Sequence, residues 1–207
     1  VKWRHIVVGT KCSWLHGDSR GFRDRNHRLH SSGDYKDPPP SGEHGGLHRY
    51  FEERSGKPVD LDVSARIMIC DAFVRKWRSL GFRIIVCSVG QRHLHAVVEG
   101  PDDYGEFTKA VGKAKQKASR AVRHLLPGTI WAANGGFKPI RGRGHFRNSY
   151  KYVRTCQEAG TIVWSHRPDE NWIDDTTIDV ILMRGRRDPI RLSKPASEGT
   201  PEDPGPR

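Results

Sequence analysis

The run Gln91-Arg92-His93-Leu94-His95-Ala96-Val97-Val98 reads as a β-strand and sets the architecture around it. Side chains alternate faces along a strand, so His93 and His95 point the same way while Leu94 points into the opposite layer. The segment therefore offers two imidazoles on one face of a rigid support and an apolar core on the other. Taken alone, a His-x-His pair in a strand is more often structural than metal-binding. It gains chemical meaning only beside a nucleophile, a further ligand and a reason to meet phosphate.

The pattern on either side of this strand alternates sheet and helix. Residues 3–15 read as a first strand through Trp3, Ile6, Val7 and Val8, then Cys12, Trp14 and Leu15. A helix is expected over 61–80, where Val63, Ile67, Cys70, Val74 and Trp77 recur at steps of three and four, with Asp60 or Asp62 as cap and Gly81 as stop. Phe82 to Val89 reads as a buried strand, and Gly90-Gln91 turns it into the histidine strand, which Gly100-Pro101-Asp102 ends. A second helix over about 103–126 carries the apolar stripe Phe107, Val111, Ala114, Ala118, Val122 and Leu125. Pro127-Gly128 breaks it; Thr129–Ala133 is a short strand candidate ending in the turn Asn134-Gly135-Gly136. A last core helix spans about 146–159, and Thr161–Trp164 and Thr177–Met183 suit short strands or packing arms. The order strand, helix, strand, strand, helix, strand predicts an α+β fold with a split β-α-β layout: an antiparallel sheet with helices on one face and the other face free for the histidines and a ligand.

The main domain is expected over 1–165, interrupted by a polar stretch at about 16–60 that holds Pro38-Pro39-Pro40 and five histidines (His16, His27, His30, His44 and His48). So long an insert is usually functional or mobile. A C-terminal extension follows over 166–192, and the Pro-, Gly- and Glu-rich tail over 193–207 has the composition of disorder.

Lys and Arg number 36 against 24 Asp and Glu, a net charge of +12. That excess favours a polyanionic partner, most often nucleic acid. Lys109, Lys113, Lys117 and Arg120 form a basic stripe along the second helix, each able to neutralise one phosphate. The segment from Lys138 to His145, with Arg141 and Arg143, is basic and glycine-rich, suited to close approach by a phosphate backbone. No stretch approaches the length of a membrane span, and the first residues hold no apolar core longer than Ile6-Val7-Val8, so a cytoplasmic location is expected, nucleoid-associated when on DNA. Cys12, Cys70, Cys87 and Cys156 form no Cys-x-x-Cys pair, which disfavours a disulfide framework or a zinc ribbon.

Two histidines can hold a divalent ion and leave coordination positions open for substrate oxygens, as metal-assisted phosphate chemistry requires. An amide oxygen suits a hard ion such as magnesium or manganese, and the last helix offers Gln157. The same helix offers Tyr150 and Tyr152, either of which could attack phosphorus to give a phosphotyrosine. The step from Tyr152 to Gln157 is about 140° off-face on an ideal helix, whereas Tyr150 lies on nearly the face of Gln157. Spacing therefore prefers Tyr150. A zinc hydrolase of small substrates would need a further His, Asp or Glu ligand at usual spacing, which this stretch lacks.

His93-Leu94-His95 resembles the histidine–apolar–histidine motif of the single-tyrosine HUH transposases and their REP-associated tyrosine transposase relatives. Tyr152-Val153-Arg154-Thr155-Cys156-Gln157 resembles their nucleophile helix, Trp14-Leu15-His16-Gly17-Asp18-Ser19-Arg20-Gly21 a segment of one branch, and Trp131-Ala132-Ala133-Asn134-Gly135-Gly136 the stretch before the tyrosine helix. The resemblance covers roughly residues 3–160. It implies a ferredoxin-like (RRM-like) sheet with a C-terminal tyrosine helix, His93, His95 and Gln157 as ligands of magnesium or manganese, and Tyr152, less readily Tyr150, as nucleophile. It implies a DNA transposase that cuts and rejoins single-stranded DNA through a 5′-phosphotyrosine at hairpin-containing element ends, with the stripe Lys109–Arg120 and Arg141 and Arg143 on the DNA. A homodimer exchanging tyrosine helices is one arrangement in the family, a monomer another. The alternative function is a domesticated hairpin-binding protein that no longer cleaves.

Overall fold

The computed structural model describes residues 2–22, 30–32, 39–40, 42–133, 135–167, 169 and 173–184. The tail expected over 193–207 and much of the polar insert, His27 and Pro38 included, lie outside the described residues.

Strand β1 (Lys2–Gly9) and helix α1 (Gly45–Ser55) lead into α2 (Val63–Ser79), β2 (Ile84–Val89) and β3 (His93–Gly100). Helix α3 (Tyr104–Ala121), β4 (Gly136–Pro139), α4 (Gly142–Thr155), β5 (Ile162–Ser165) and α5 (Asp175–Arg184) complete the chain. The sheet order is β4-β1-β3-β2-β5, every neighbouring pair antiparallel. Strands β4, β1, β3 and β2 have the ferredoxin-like order expected of the split layout, and β5 adds a strand beside β2.

Local chemistry explains the helix starts. Asp62 caps α2 by accepting from Ala65 N at 2.7 Å, and Asp103 caps α3 by accepting from Glu106 N at 2.8 Å. The apolar stripe of α3 is buried as its periodicity predicts, from Phe107 to Val122, and only Leu125 comes out to solvent. Of the stripe read for α2, Cys70, Val74 and Trp77 are buried, whereas Val63 and Ile67 are about half exposed and Ala65, Ile69 and Phe73 are buried in their place. Burying Ile69 and Phe73 beside Trp77 removes more apolar area from water than burying Val63 and Ile67 would, so the aromatic face wins.

Four expectations are corrected. The first strand stops at Gly9, because Cys12 adopts φ 60° and the chain turns away. Residues 129–133 contribute only an isolated bridge between Thr10 and Trp131; the edge strand is Gly136–Pro139, which runs from the expected turn into the first two residues of the segment read as a phosphate-binding loop. Residues 177–183 belong to helix α5, where Asp174 accepts from Thr177 N at 2.7 Å and buries Ile178 and Ile181 one turn apart. The helices also occupy both faces of the sheet rather than one. Helices α2 and α3 cover the face of Ile6, Leu94, Ala96 and Val98. Helices α4 and α5 cover the Trp3–Val97 end of the other face through Phe146, Tyr150, Val153, Ile178 and Ile181. The histidine end of that second face is what they leave open.

Candidate active site

Residues directly opposed in an antiparallel pair share a face. Val7 opposes His95, Gly9 opposes His93 and His5 opposes Val97, so His5, His93 and His95 all lie on the α4 side of the sheet. The His93 and His95 rings meet edge to face with centroids 4.9 Å apart. His5 stacks on His95 at 5.3 Å, and its Nε2 lies 3.1 Å from His95 Nδ1. The sequence did not single out His5. Its signal was the alternation Trp3, His5, Val7, which becomes legible only once β1 is known to pair with β3.

Burial sets the charge of these rings. Desolvation, reinforced by His93 and His5, lowers the His95 pKa to about 3. Desolvation, with Lys138 and His145 nearby, lowers that of His5 to about 4. Both are neutral at pH 7, the form in which imidazole carries a lone pair for a metal. Lys138 opposes His5 across the β1–β4 ladder and so puts a cation on the same face.

Helix α4 brings Tyr152 over this cluster. Phe146, Tyr150 and Val153 form its buried stripe. Tyr150 and Tyr152, two positions apart, are separated by about 200° around the helix and cannot share a face. Tyr150 is 4% exposed; its hydroxyl accepts from Arg154 Nη1 at 2.7 Å and lies 3.2 Å from Ser165 Oγ. Tyr152 is 45% exposed and sets its ring edge to face against His95 at 5.4 Å and His5 at 5.9 Å. The preference of spacing for Tyr150 assumed a helix running through Gln157. The helix ends at Thr155 with Cys156 as its cap, so Gln157 is not bound to helical phase, and its Nε2 donates to Tyr152 O at 2.7 Å.

Glu158, also not anticipated, sits at the turn that precedes His93. Its Oε1 accepts from Gln91 N, and a Cβ built on Gly90 would press on that carboxylate while lying 3.1 Å from His93 Nε2. The bare backbone of Gly90 thus leaves room for the Glu158 carboxylate on one side and the His93 ring on the other.

Among the described residues no three His, Cys, Asp or Glu side chains form a group that could hold a metal ion. The candidate donors are the His93 and His95 imidazoles, which meet edge to face, and the Gln157 amide, whose nitrogen is committed to Tyr152 O. Ser88 Oγ, opposed to His95 on the same face, is buried without a hydrogen-bond partner among the described residues. An orphaned hydroxyl there fits a site completed by a hydrated ion.

The predicted DNA contacts divide between the two faces. Lys109, Lys113, Lys117 and Arg120 are exposed on α3, which packs against the face opposite the histidines, and Lys109 is paired with Glu106 at 2.8 Å. Arg141 and Arg143 lie at the start of α4, on the histidine side. Arg143 is engaged by Asp179, and Arg147 by Asp175, both on α5.

No protein-family model matches the sequence, and no curated protein sequence matches it. A search of solved structures finds similarity to a REP-associated tyrosine transposase bound to a REP hairpin, at 17% identity and a TM-score of 0.38, over 73% of this chain and 64% of that chain. No helix among the described residues is long and apolar enough to cross a membrane.

Proposed function

We propose that this protein is a metal-dependent single-strand DNA endonuclease and strand transferase, acting as a transposase on hairpin-bearing DNA ends. Tyr152 is the nucleophile, and His93, His95 and Gln157 hold magnesium or manganese. The observation that carries this reading is the packing of a half-exposed Tyr152 against His95, while Tyr150 is buried and hydrogen-bonded away from the histidines.

The chemistry follows from the residues. The divalent ion, when bound, polarises the scissile phosphate and neutralises charge that develops on its oxygens. His95 offers Nε2 to that ion if Nδ1 carries the proton and donates it to His5 Nε2, so His5 acts as a positioning residue that selects the tautomer. Tyr152 Oη attacks phosphorus; the Tyr–O–P bond forms and the bond to the 3′ oxygen breaks. The proton that Tyr152 gives up on attack is balanced by the one the 3′ oxygen takes up as it leaves as a hydroxyl, and the 5′ phosphate stays on the protein. A later 3′ hydroxyl reverses the step and reseals the strand. Lys138 lies on the same face to balance phosphate charge. We assign the α3 cations to a duplex arm of the hairpin, since they lie across the sheet from the histidines.

The test is a covalent adduct assay with a single-stranded or hairpin oligonucleotide. An adduct stable to denaturation is expected with magnesium or manganese, and none with EDTA or with His93→Ala. Hairpin binding without an adduct under any metal would instead identify a binding protein.

A further inference from the structure

The segment Trp14–Gly21 is absorbed by none of the chemistry above, yet it is built around one ring. Trp14 Nε1 donates to Gly21 O at 2.7 Å, and the Arg20 guanidinium lies over the indole at 4.5 Å. Arg20 is itself fixed: its Nε donates to Asp18 Oδ1 at 2.8 Å and its Nη2 to Ser13 O at 2.8 Å. Asp18 Oδ1 also accepts from Arg20 N at 2.9 Å, which closes the loop locally. Both glycines are required by backbone geometry. Gly17 has φ +86° and a Cβ there would strike the His48 backbone, while Gly21 has φ +87° and presents the carbonyl that Trp14 uses.

The outcome is a locked indole that remains 59% exposed. A tryptophan held in one orientation usually buries its large apolar surface; this one is fixed on its edge and under one face and still presents itself to solvent. The loop stands at the histidine end of the sheet. Thr10 N donates to Arg92 O at 2.8 Å, Gly9 opposes His93, and a Cβ on Gly9 would meet Ser13 Oγ. Flat aromatic ligands stack on such rings, and an adjacent guanidinium adds charge for a phosphate.

We propose that Trp14 is a stacking platform for one unpaired base of the DNA strand that passes His93, with Arg20 beside that nucleotide's phosphate. This rests on the single-strand DNA reading given above. The platform recognises a nucleobase by its π-face and therefore tolerates sequence.

The test measures binding of the full chain to fluorescein-labelled oligothymidine by anisotropy, in EDTA so that cleavage does not intervene. Trp14→Ala is expected to weaken binding by roughly 5- to 150-fold. Trp14→Phe and Trp14→Tyr are expected to stay within about threefold of wild type, since they keep an aromatic face. On a strand joined to a hairpin, which fixes its register, walking an abasic site should find one position at which the Trp14→Ala loss disappears. Equal affinity of wild type and Trp14→Ala, or a loss that no abasic position absorbs, overturns the platform. If Trp14→Ala does not fold, Trp14→Leu, which keeps apolar bulk without an aromatic face, takes its place in the abasic scan. Adduct formation with no role for Trp14 leaves the cleavage reading standing alone. Trp14-dependent binding with no adduct under any metal leaves the platform standing alone. Absence of any binding to single strands overturns both.

Discussion

His5 Nε2 lies 3.1 Å from His95 Nδ1, although the two residues are ninety positions apart in the chain. They are diagonal neighbours across the β1–β3 ladder, close enough for rings but not directly opposed. The contact has a consequence for metal affinity. Removing the partner that orients a ligand imidazole weakens metal binding about 10- to 100-fold. His5→Ala should show that loss in manganese titrations followed by electron paramagnetic resonance, and His5→Asn should recover part of it. Unchanged manganese affinity in His5→Ala would exclude a positioning role.

Acid should destabilise the metal-free protein through the same rings. The His95 pKa is 6.5 in a free chain and about 3 in the native state, chiefly because the ring is buried. Between those values the unfolded chain binds a proton that the native chain refuses. Stability from this group is therefore full above about pH 6.5 and falls as the pH drops toward 3. From pH 7 to about pH 4.5 the wild type should lose roughly 2–3 kcal/mol more than His95→Asn, measured by urea unfolding in EDTA. Parallel losses in the two proteins would show that His95 does not carry the effect.

The two tyrosines should separate cleanly. Tyr152→Phe keeps the ring against His95 and removes only the hydroxyl, so the adduct should vanish with stability held within about 0.5 kcal/mol. Tyr150→Phe removes the acceptor of Arg154 and the partner of Ser165, and should cost about 1 kcal/mol while the adduct persists. The opposite pattern, read by denaturing gel and urea unfolding, would transfer the nucleophile to Tyr150.

Cleavage should be completed within one chain. Helix α4 runs between β4 and β5, which form opposite edges of one sheet, so the tyrosine helix is tied to its own sheet on both sides. Passing it to another protomer would break the β2–β5 ladder. A mixture of His95→Ala and Tyr152→Phe should therefore form no adduct. An adduct restored by mixing would establish exchange of α4 between chains.

Helix α5 holds two of the cations on the tyrosine helix. Asp179 engages Arg143 and Asp175 engages Arg147, with all four side chains partly exposed. Surface pairs of this kind contribute about 1 kcal/mol or less each. The double variant Asp175→Asn, Asp179→Asn should stay folded and release both arginines to phosphate. Single-strand binding should then tighten at low salt, with the log–log salt slope steeper by up to about 1.4. An unchanged slope would show that these arginines do not meet the strand.

Local pattern was enough for much of the fold. The alternation around His93-Leu94-His95, the cap at Asp62 and the stripe of α3 depend on periods and caps that neighbouring residues set. The segments that went astray are those whose state is decided by a distant partner. Gly136–Pro139 is a strand because β1 offers it an edge, and 175–184 is helical because the Trp3–Val97 face accepts Ile178 and Ile181. The same holds at the site. Sequence alone put His93 and His95 on one face and named both tyrosines, since strand and helix periods are local. Only the tertiary structure turned Tyr152 toward the histidines and Tyr150 into the core, ended α4 before Gln157, and brought His5 and Lys138 to the cluster. Those contacts depend on strand register and on which helix face is buried against the sheet, and both are fixed by packing between elements far apart in the chain.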